Sequence, residues 1–238
     1  MTESSPVKNG AIMGTPWQRM LVGTLLLMAF ATAGSDPASD GEPEASAGAW
    51  VPREGQELIG TPAPEWRGIE WIQGGPLSIE SLKGRAILLR FWLMDCPFCT
   101  NTAPALRELW EEYRGAGLVV VGLHHPKSEA ARDPEQVTSA ASDLGFSFPI
   151  GLDNDWLTIR SYGVGSELRR FTSVSFLIDR TGTLRFVHDG GEFHSGGGPG
   201  HEECNAAYET LRWTIEEILA ETGPGDGETD LYWSGSLK

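Results

Sequence analysis

The stretch "AILLRFWLMDCPFC" at residues 86–99 constrains the fold more than any other. Its first seven residues form a nearly continuous apolar run, broken only by Arg90. A strand covered on both faces needs such a run. The period then changes. Leu106, Leu109, Trp110 and Tyr113 recur at helical spacing, and glycines after Arg114 stop the pattern. A buried strand therefore hands over to a helix, and Cys96 and Cys99 stand at the junction. In open α/β sheets, reactive groups lie at that edge.

The rest of the chain alternates in the same way. "LVVVGLH" reads as a second buried strand. "DPEQVTSAASDLG" reads as a helix capped by Asp133, with Pro134 in its first turn. "FPIGL" suits a short strand and "WLTIRSYGV" a helical turn or two. "LDND" at 152–155 reads as a turn that caps the helix starting at Trp156, since a calcium loop needs more oxygen ligands. "SVSFLIDRTGTLRFVH" reads as a hairpin turning at Thr181-Gly182, and "EECNAAYETLRWTIEEILAET" as a long amphipathic helix. The layout is α/β.

The two cysteines admit three readings: a redox pair, half of a metal site, or a staple. A staple is disfavoured, because a disulfide stabilises less as its loop shortens. A helix N-terminus favours a thiolate, through unpaired N–H groups and the helix dipole. Cys96 falls at about the N-cap, and Pro97 occupies the first helical position, where its missing N–H costs little. Cys99 lies one turn further on and more inward. Cys96 is thus the attacking thiol and Cys99 the resolving one. Asp95 has two readings. Its carboxylate would disfavour a Cys96 thiolate by repulsion, or it would cap the helix.

The chain has 238 residues and a formal net charge of -15. That length covers one domain plus extensions. The acidic balance argues against nucleic-acid partners, which need basic surfaces. Lys8 and Arg19 precede the apolar run "MLVGTLLLMAFATA" at 20–33. Residues 1–33 read as a secretory signal cleaved after Ala33, or as an uncleaved anchor that would tether the protein to a membrane. Residues 34–55 read as an acidic disordered linker, 56–222 as the folded domain and 223–238 as a disordered tail. The domain is expected outside the cytoplasm, in the periplasm or its equivalent, where disulfides persist.

Several segments carry a family resemblance. They are "GTPAPEW", "LSIESLKGRAILLRFW", the CxxC, Pro104 five residues after the second cysteine, and "FLIDRTGTLR". In this order they resemble thioredoxin-like redoxins of the TlpA/ResA type. The middle, "GLVVVGLHHPKSEAARDPEQV…FPIGLDND", looks most like the redoxin domain of DipZ-type exported proteins. The resemblance spans roughly residues 57–221. It implies a thioredoxin fold, with a central mixed β-sheet flanked by helices and a redoxin-type insertion. It also implies thiol–disulfide oxidoreductase chemistry, with Cys96 as nucleophile, Cys99 as resolving cysteine and Pro104 as a kink in the active-site helix. The redox-active Cys96–Cys99 disulfide is then the whole cofactor. The partners are protein thiols or disulfides and a membrane or periplasmic electron donor. Relatives of this type more often reduce than oxidise.

The chain departs from that family at three places. The family commonly has Trp where Asp95 stands. Many relatives place Asp or Asn six residues before the nucleophile, for proton transfer to the inner cysteine. Here that residue is Arg90, which cannot give up its proton. Arg90 either stabilises a thiolate or points outward or pairs with a carboxylate. Finally, Ser173 replaces the family's cis-proline. A cis bond before a non-proline residue costs about 3 kcal/mol, so a trans bond is expected. The loss of proline there also opens room for a metal near the thiols.

The segment 188–204 holds His188, His194, His201 and the third cysteine, Cys204, and "LHH" adds His124 and His125. Cysteine with histidine suggests zinc, yet the spacing fits no standard zinc pattern and the glycines suggest a surface loop. No metal ligands are assigned from the sequence. Cys204 reads either as a third redox thiol or as a small apolar residue facing inward with Tyr208 and Leu211. His124, ending a strand at the active-site edge, is the strongest histidine candidate for function. Two other functions compete. One is copper or zinc binding or delivery through the CxxC. The other is a peroxidase, which would need Pro and Thr where Leu89 and Leu93 stand.

Overall fold

A computed structural model of the chain describes residues 55–164 and 171–221. The export segment, the linker up to residue 54 and the tail read from the sequence lie outside these residues. Among the described residues, no helix is long and apolar enough to cross a membrane.

Six strands form one mixed sheet. They are β1 (Glu70–Gln73), β2 (Ala86–Trp92), β3 (Leu118–His124), β4 (Ile150–Leu152), β5 (Ser175–Ile178) and β6 (Leu184–His188). The order across the sheet is β1-β4-β3-β2-β5-β6. β2 pairs parallel with β3, and β3 parallel with β4. β5 runs antiparallel to both β2 and β6, and β1 closes the far edge antiparallel to β4. Among the described residues, three α-helices connect strands, α1 (Pro97–Tyr113), α2 (Pro134–Asp143) and α3 (Leu157–Ser161), and a fourth, α4 (Glu202–Ala220), follows β6.

The central strand β2 is buried along its whole length. Side chains alternate across a strand, so its even and odd positions serve two different cores. Ala86, Leu88 and Trp92 join α1, α2 and α4 in one cluster, which includes Cys99, Leu109, Tyr208 and Leu211. Ile87, Leu89 and Phe91 join α3 and the segment from Ala63 to Leu82 in the other. The parity places Arg90 on the Trp92 face, under α1 and α4.

The helix ends follow local chemistry. Asp133 caps α2 by accepting from the Glu135 N–H at 3.0 Å. The buried Asp153 carboxylate accepts from the N–H groups of Thr158 and Ile159 and so starts α3. That is the capping turn expected of "LDND", although the helix begins at Leu157. The hairpin turn between β5 and β6 is held by Asp179, which accepts from the N–H groups of Thr181 and Thr183. β1 is absent from the sequence reading. It is a four-residue edge strand, "EWIQ", with no fully buried position and no alternation to reveal it.

Candidate active site

β2 ends at Trp92, and four residues later Cys96 caps α1. Its carbonyl accepts from the N–H groups of Cys99 and Thr100, both at 3.0 Å. Pro97 takes the first helical position. The two cysteines divide as expected. Cys96 is half-buried and Cys99 is 2% exposed. Both are free thiols, as is Cys204.

The electrostatics separate the pair. The Cys96 thiol is pulled down to about 6. Its hydrogen bond with Cys99 is the main cause, and partial burial opposes it. The backbone N–H groups of Cys99 and Phe98, and then the charge of Arg90, add to the effect. The Cys99 thiol is pushed well up, first by that same hydrogen bond and then by burial, while Arg90 draws it back. The two environments thus favour the thiolate at Cys96 and the protonated thiol at Cys99.

Arg90 decides between the two readings given to it. It points inward and is 1% exposed. Its guanidinium donates to Ser175 Oγ at 3.2 Å and to the Gly191 carbonyl at 3.1 Å. The same group lies 5.7 Å from the Phe193 ring centroid. Among the described residues, no carboxylate forms an ion pair with it. The outward or carboxylate-paired reading is therefore corrected. Burial lowers its pKa, and the Cys99 and Cys96 thiols oppose that shift. Strand parity is the physical reason, since position 90 cannot leave the face beneath α1.

Asp95 also needs a correction. Its side chain is exposed, and no side chain makes a cap hydrogen bond to α1. The backbone there has φ 62°, in the left-handed region. Asp and Asn tolerate that region better than other side chains, so the turn from strand to helix explains the residue. Ser173 is buried. Among the described residues, the one cis peptide bond precedes Pro76, so the bond before Ser173 is trans as expected. Pro104 lies within α1, on an exposed face, and supplies no N–H to the Thr100 carbonyl. Phe98, between the cysteines, is 39% exposed and meets Phe171 edge-on with centroids 5.4 Å apart.

The histidines separate into three groups. His124 and His125 are fully buried, and burial lowers both pKa values, to about 4 and about 3. The His124 ring meets Trp92 edge-on at 5.0 Å. His188 is buried against the Phe193 ring. His194 and His201 instead converge with Cys204 and with Glu192, an acid the sequence reading did not single out. Cys204 is half-buried, so it is not the core residue that the spacing with Tyr208 and Leu211 suggested. Burial and then the Glu192 charge raise its thiol pKa. Among the described residues, no third metal-binding side chain joins Cys96 and Cys99.

A mixed sheet with a dithiol at the end of its central strand and the start of the first long helix defines a thioredoxin-fold redoxin. The model of the AhpC/TSA family matches residues 59–187, more than half of the chain. This chain belongs to that family. It is 34% identical over 173 residues to the protein DipZ of Mycobacterium tuberculosis, an alignment that takes in 71% of this chain and 22% of DipZ. It is 28% identical over 162 residues to the thiol-disulfide oxidoreductase YkuV of Bacillus subtilis, covering 68% of this chain and 96% of YkuV. Among solved structures, the thioredoxin-like superfamily protein SPOA0173 superposes with a TM-score of 0.56 at 24% identity, over 68% of this chain and 99% of that one. A thiol-disulfide isomerase from Corynebacterium glutamicum gives 0.53 at 23% identity, over 67% and 98%. The structural likenesses establish the thioredoxin fold.

Proposed function

We propose that this domain is a thiol–disulfide oxidoreductase that reduces disulfides of protein substrates outside the cytoplasm. The observation that carries this reading is the split between a half-exposed Cys96, with its thiol near 6, and a buried, protonated Cys99 one turn away. The names of YkuV and of other relatives support the reaction class.

The Cys96 thiolate attacks one sulfur of a substrate disulfide. That bond breaks, the departing substrate thiolate takes a proton, and a mixed disulfide joins Cys96 to the substrate. Cys99 then loses its proton and attacks the Cys96 sulfur. The second substrate thiol leaves, and the Cys96–Cys99 disulfide remains. Two electrons have passed to the substrate. A dithiol donor restores the pair by the same steps in reverse. Arg90 aids the resolving step, because its charge favours the Cys99 thiolate. Phe98, between the cysteines and partly exposed, stacks edge-on with Phe171, and this apolar pair suits an unfolded or apolar substrate segment.

Thiolate stability supports the reducing direction. A stabler thiolate makes a stronger oxidant. The attacking cysteine titrates near ~7 in thioredoxin and ~3.5 in DsbA. A value of about 6 stands closer to the reductant. The N-terminal basic and apolar segment supports export, and a membrane-side dithiol donor would recharge the pair.

The test is disulfide exchange by the full chain, together with the reduction potential of its pair. Alkylation of Cys96 should rise with a midpoint near pH 6, and the potential should fall near thioredoxin's ~-270 mV. A potential near ~-120 mV would reverse the direction. Undiminished exchange by Cys96→Ser would end the proposal.

A further inference from the structure

We infer that Glu192, His194, His201 and Cys204 form a closed, four-ligand zinc site that braces the strap between β6 and α4. This does not rest on the redox reading, since neither Cys96 nor Cys99 takes part.

The donor atoms of the four residues all lie within 4.8 Å of one another. His194 Nε2 and His201 Nδ1 are 3.1 Å apart. Glu192 Oε1 lies 3.9 Å from His194 Nε2, 3.7 Å from His201 Nδ1 and 3.9 Å from Cys204 Sγ. A tetrahedral zinc with bonds of about 2.0–2.3 Å requires donor–donor edges of roughly 3.3–3.8 Å. Four of the six edges are within a few tenths of an ångström of that range, and the two from Cys204 to the imidazoles lie within 4.8 Å, so closing on the metal needs a small inward shift of the thiol. Two neutral imidazoles, one carboxylate and one thiolate also balance a divalent charge. Nitrogen and sulfur donors select zinc over calcium or magnesium.

The surrounding residues hold the donors in place. Glu192 and His194 are two apart on the strap, half-buried on either side of the buried Phe193, and His201 and Cys204 are three apart, at the N-cap and in the first turn of α4. Asn101 of α1 donates to the other Glu192 oxygen, Oε2, at 2.5 Å and leaves Oε1 for the cluster. Such partners of a ligating group fix its orientation. Asn205 grips Gly197 at two points, donating to its carbonyl and accepting from its N–H, both at 3.2 Å. Any larger residue at 197 would intrude, because a Cβ there would collide with His201 and lie 2.7 Å from His194 Cε1. The glycines that read as a loose loop in the sequence are what allow the two histidines to close.

The brace adjoins the redox centre. Gly191, just before Glu192, accepts from Arg90, and Phe193, just after it, presents its ring to the same guanidinium. The Phe193 N–H also donates to Thr102 of α1 at 3.3 Å. A metal on Glu192 and His194 therefore fixes the two residues that position Arg90.

Zn2+ and Co2+ titrations of the reduced, metal-free full chain test this. One equivalent of zinc should bind, and should still bind to the Cys96→Ser/Cys99→Ser double variant. Co2+ should give tetrahedral absorption with a thiolate charge-transfer band, and Cys204→Ser should abolish that band. His201→Ala, at a half-exposed position whose loss leaves the core intact, should weaken zinc at least tenfold while circular dichroism stays unchanged. Zinc binding that disappears in the double variant but survives Cys204→Ser would overturn the site. So would a cobalt complex without a thiolate band, or no stoichiometric binding.

Discussion

At the level of single residues, Arg90 adds a buried positive charge to a pair whose thiols are separated chiefly by their own hydrogen bond. A buried cation is costly unless something compensates its charge. Ser175, Gly191 and the Phe193 ring offer dipoles and a π face, and a thiolate on the cysteine pair opposes the cost of burial. Arg90→Met keeps much of the volume and removes the charge. The Cys96 thiol should then titrate up to about one unit higher, and the couple should move to more negative potential by up to roughly 30 mV, since one unit is about 1.4 kcal/mol. Thiol alkylation against pH and equilibration with dithiothreitol read the two shifts. A variant whose potential rises instead would remove Arg90 from the electrostatics of the site. The residue's orientation was available from the sequence. Counting by twos from Leu88 or Trp92 puts position 90 on the face that the cysteine-bearing helix must cover. The sequence did not reveal that the strap would deliver a carbonyl rather than a carboxylate to it.

The joint between β2 and α1 is the decisive element, and its geometry explains Asp95. The chain must turn from an extended strand into a helix within a few residues, and position 95 takes the left-handed conformation to do so. Glycine adopts that conformation freely, while a β-branched residue pays about 1–2 kcal/mol there. Asp95→Gly should therefore leave the urea midpoint of the reduced protein nearly unchanged, and Asp95→Val should lower its stability by about that amount. Equal losses in both variants would mean that the carboxylate itself matters. Other elements were plain from their periods. β2, β3, α1, α2, the β5–β6 hairpin and α4 each showed a run, a cap or a turn in the sequence. β1 did not, because four half-exposed residues at a sheet edge have no periodic signature. The grouping of Glu192 and His194 with His201 and Cys204 was hidden for another reason. Its signals are two short pairs, E-x-H and H-x-x-C, and the Asn205 grip on Gly197 helps to bring them together.

At the scale of the whole described domain, one sheet carries separate cores on its two faces, and Arg90 and the two cysteines belong to the face under α1 and α4. Arg90 enters that core without a carboxylate ion pair among the described residues. When Cys96 and Cys99 join as a disulfide, the negative charge that answered the guanidinium disappears. In the oxidised interior the guanidinium keeps only Ser175, the Gly191 carbonyl and the Phe193 ring, and the strands around it should breathe more. Amide hydrogen exchange at Ser175 and Gly191 should be faster in the oxidised protein than in the reduced one, and Arg90→Met should erase the difference. Equal exchange rates in the two redox states of the unaltered chain would contradict this. A donor approaching the spent molecule would thus meet a surface that moves differently from the one the substrate left. One buried arginine would let each partner distinguish a full carrier from an empty one by its motion, with no change of shape.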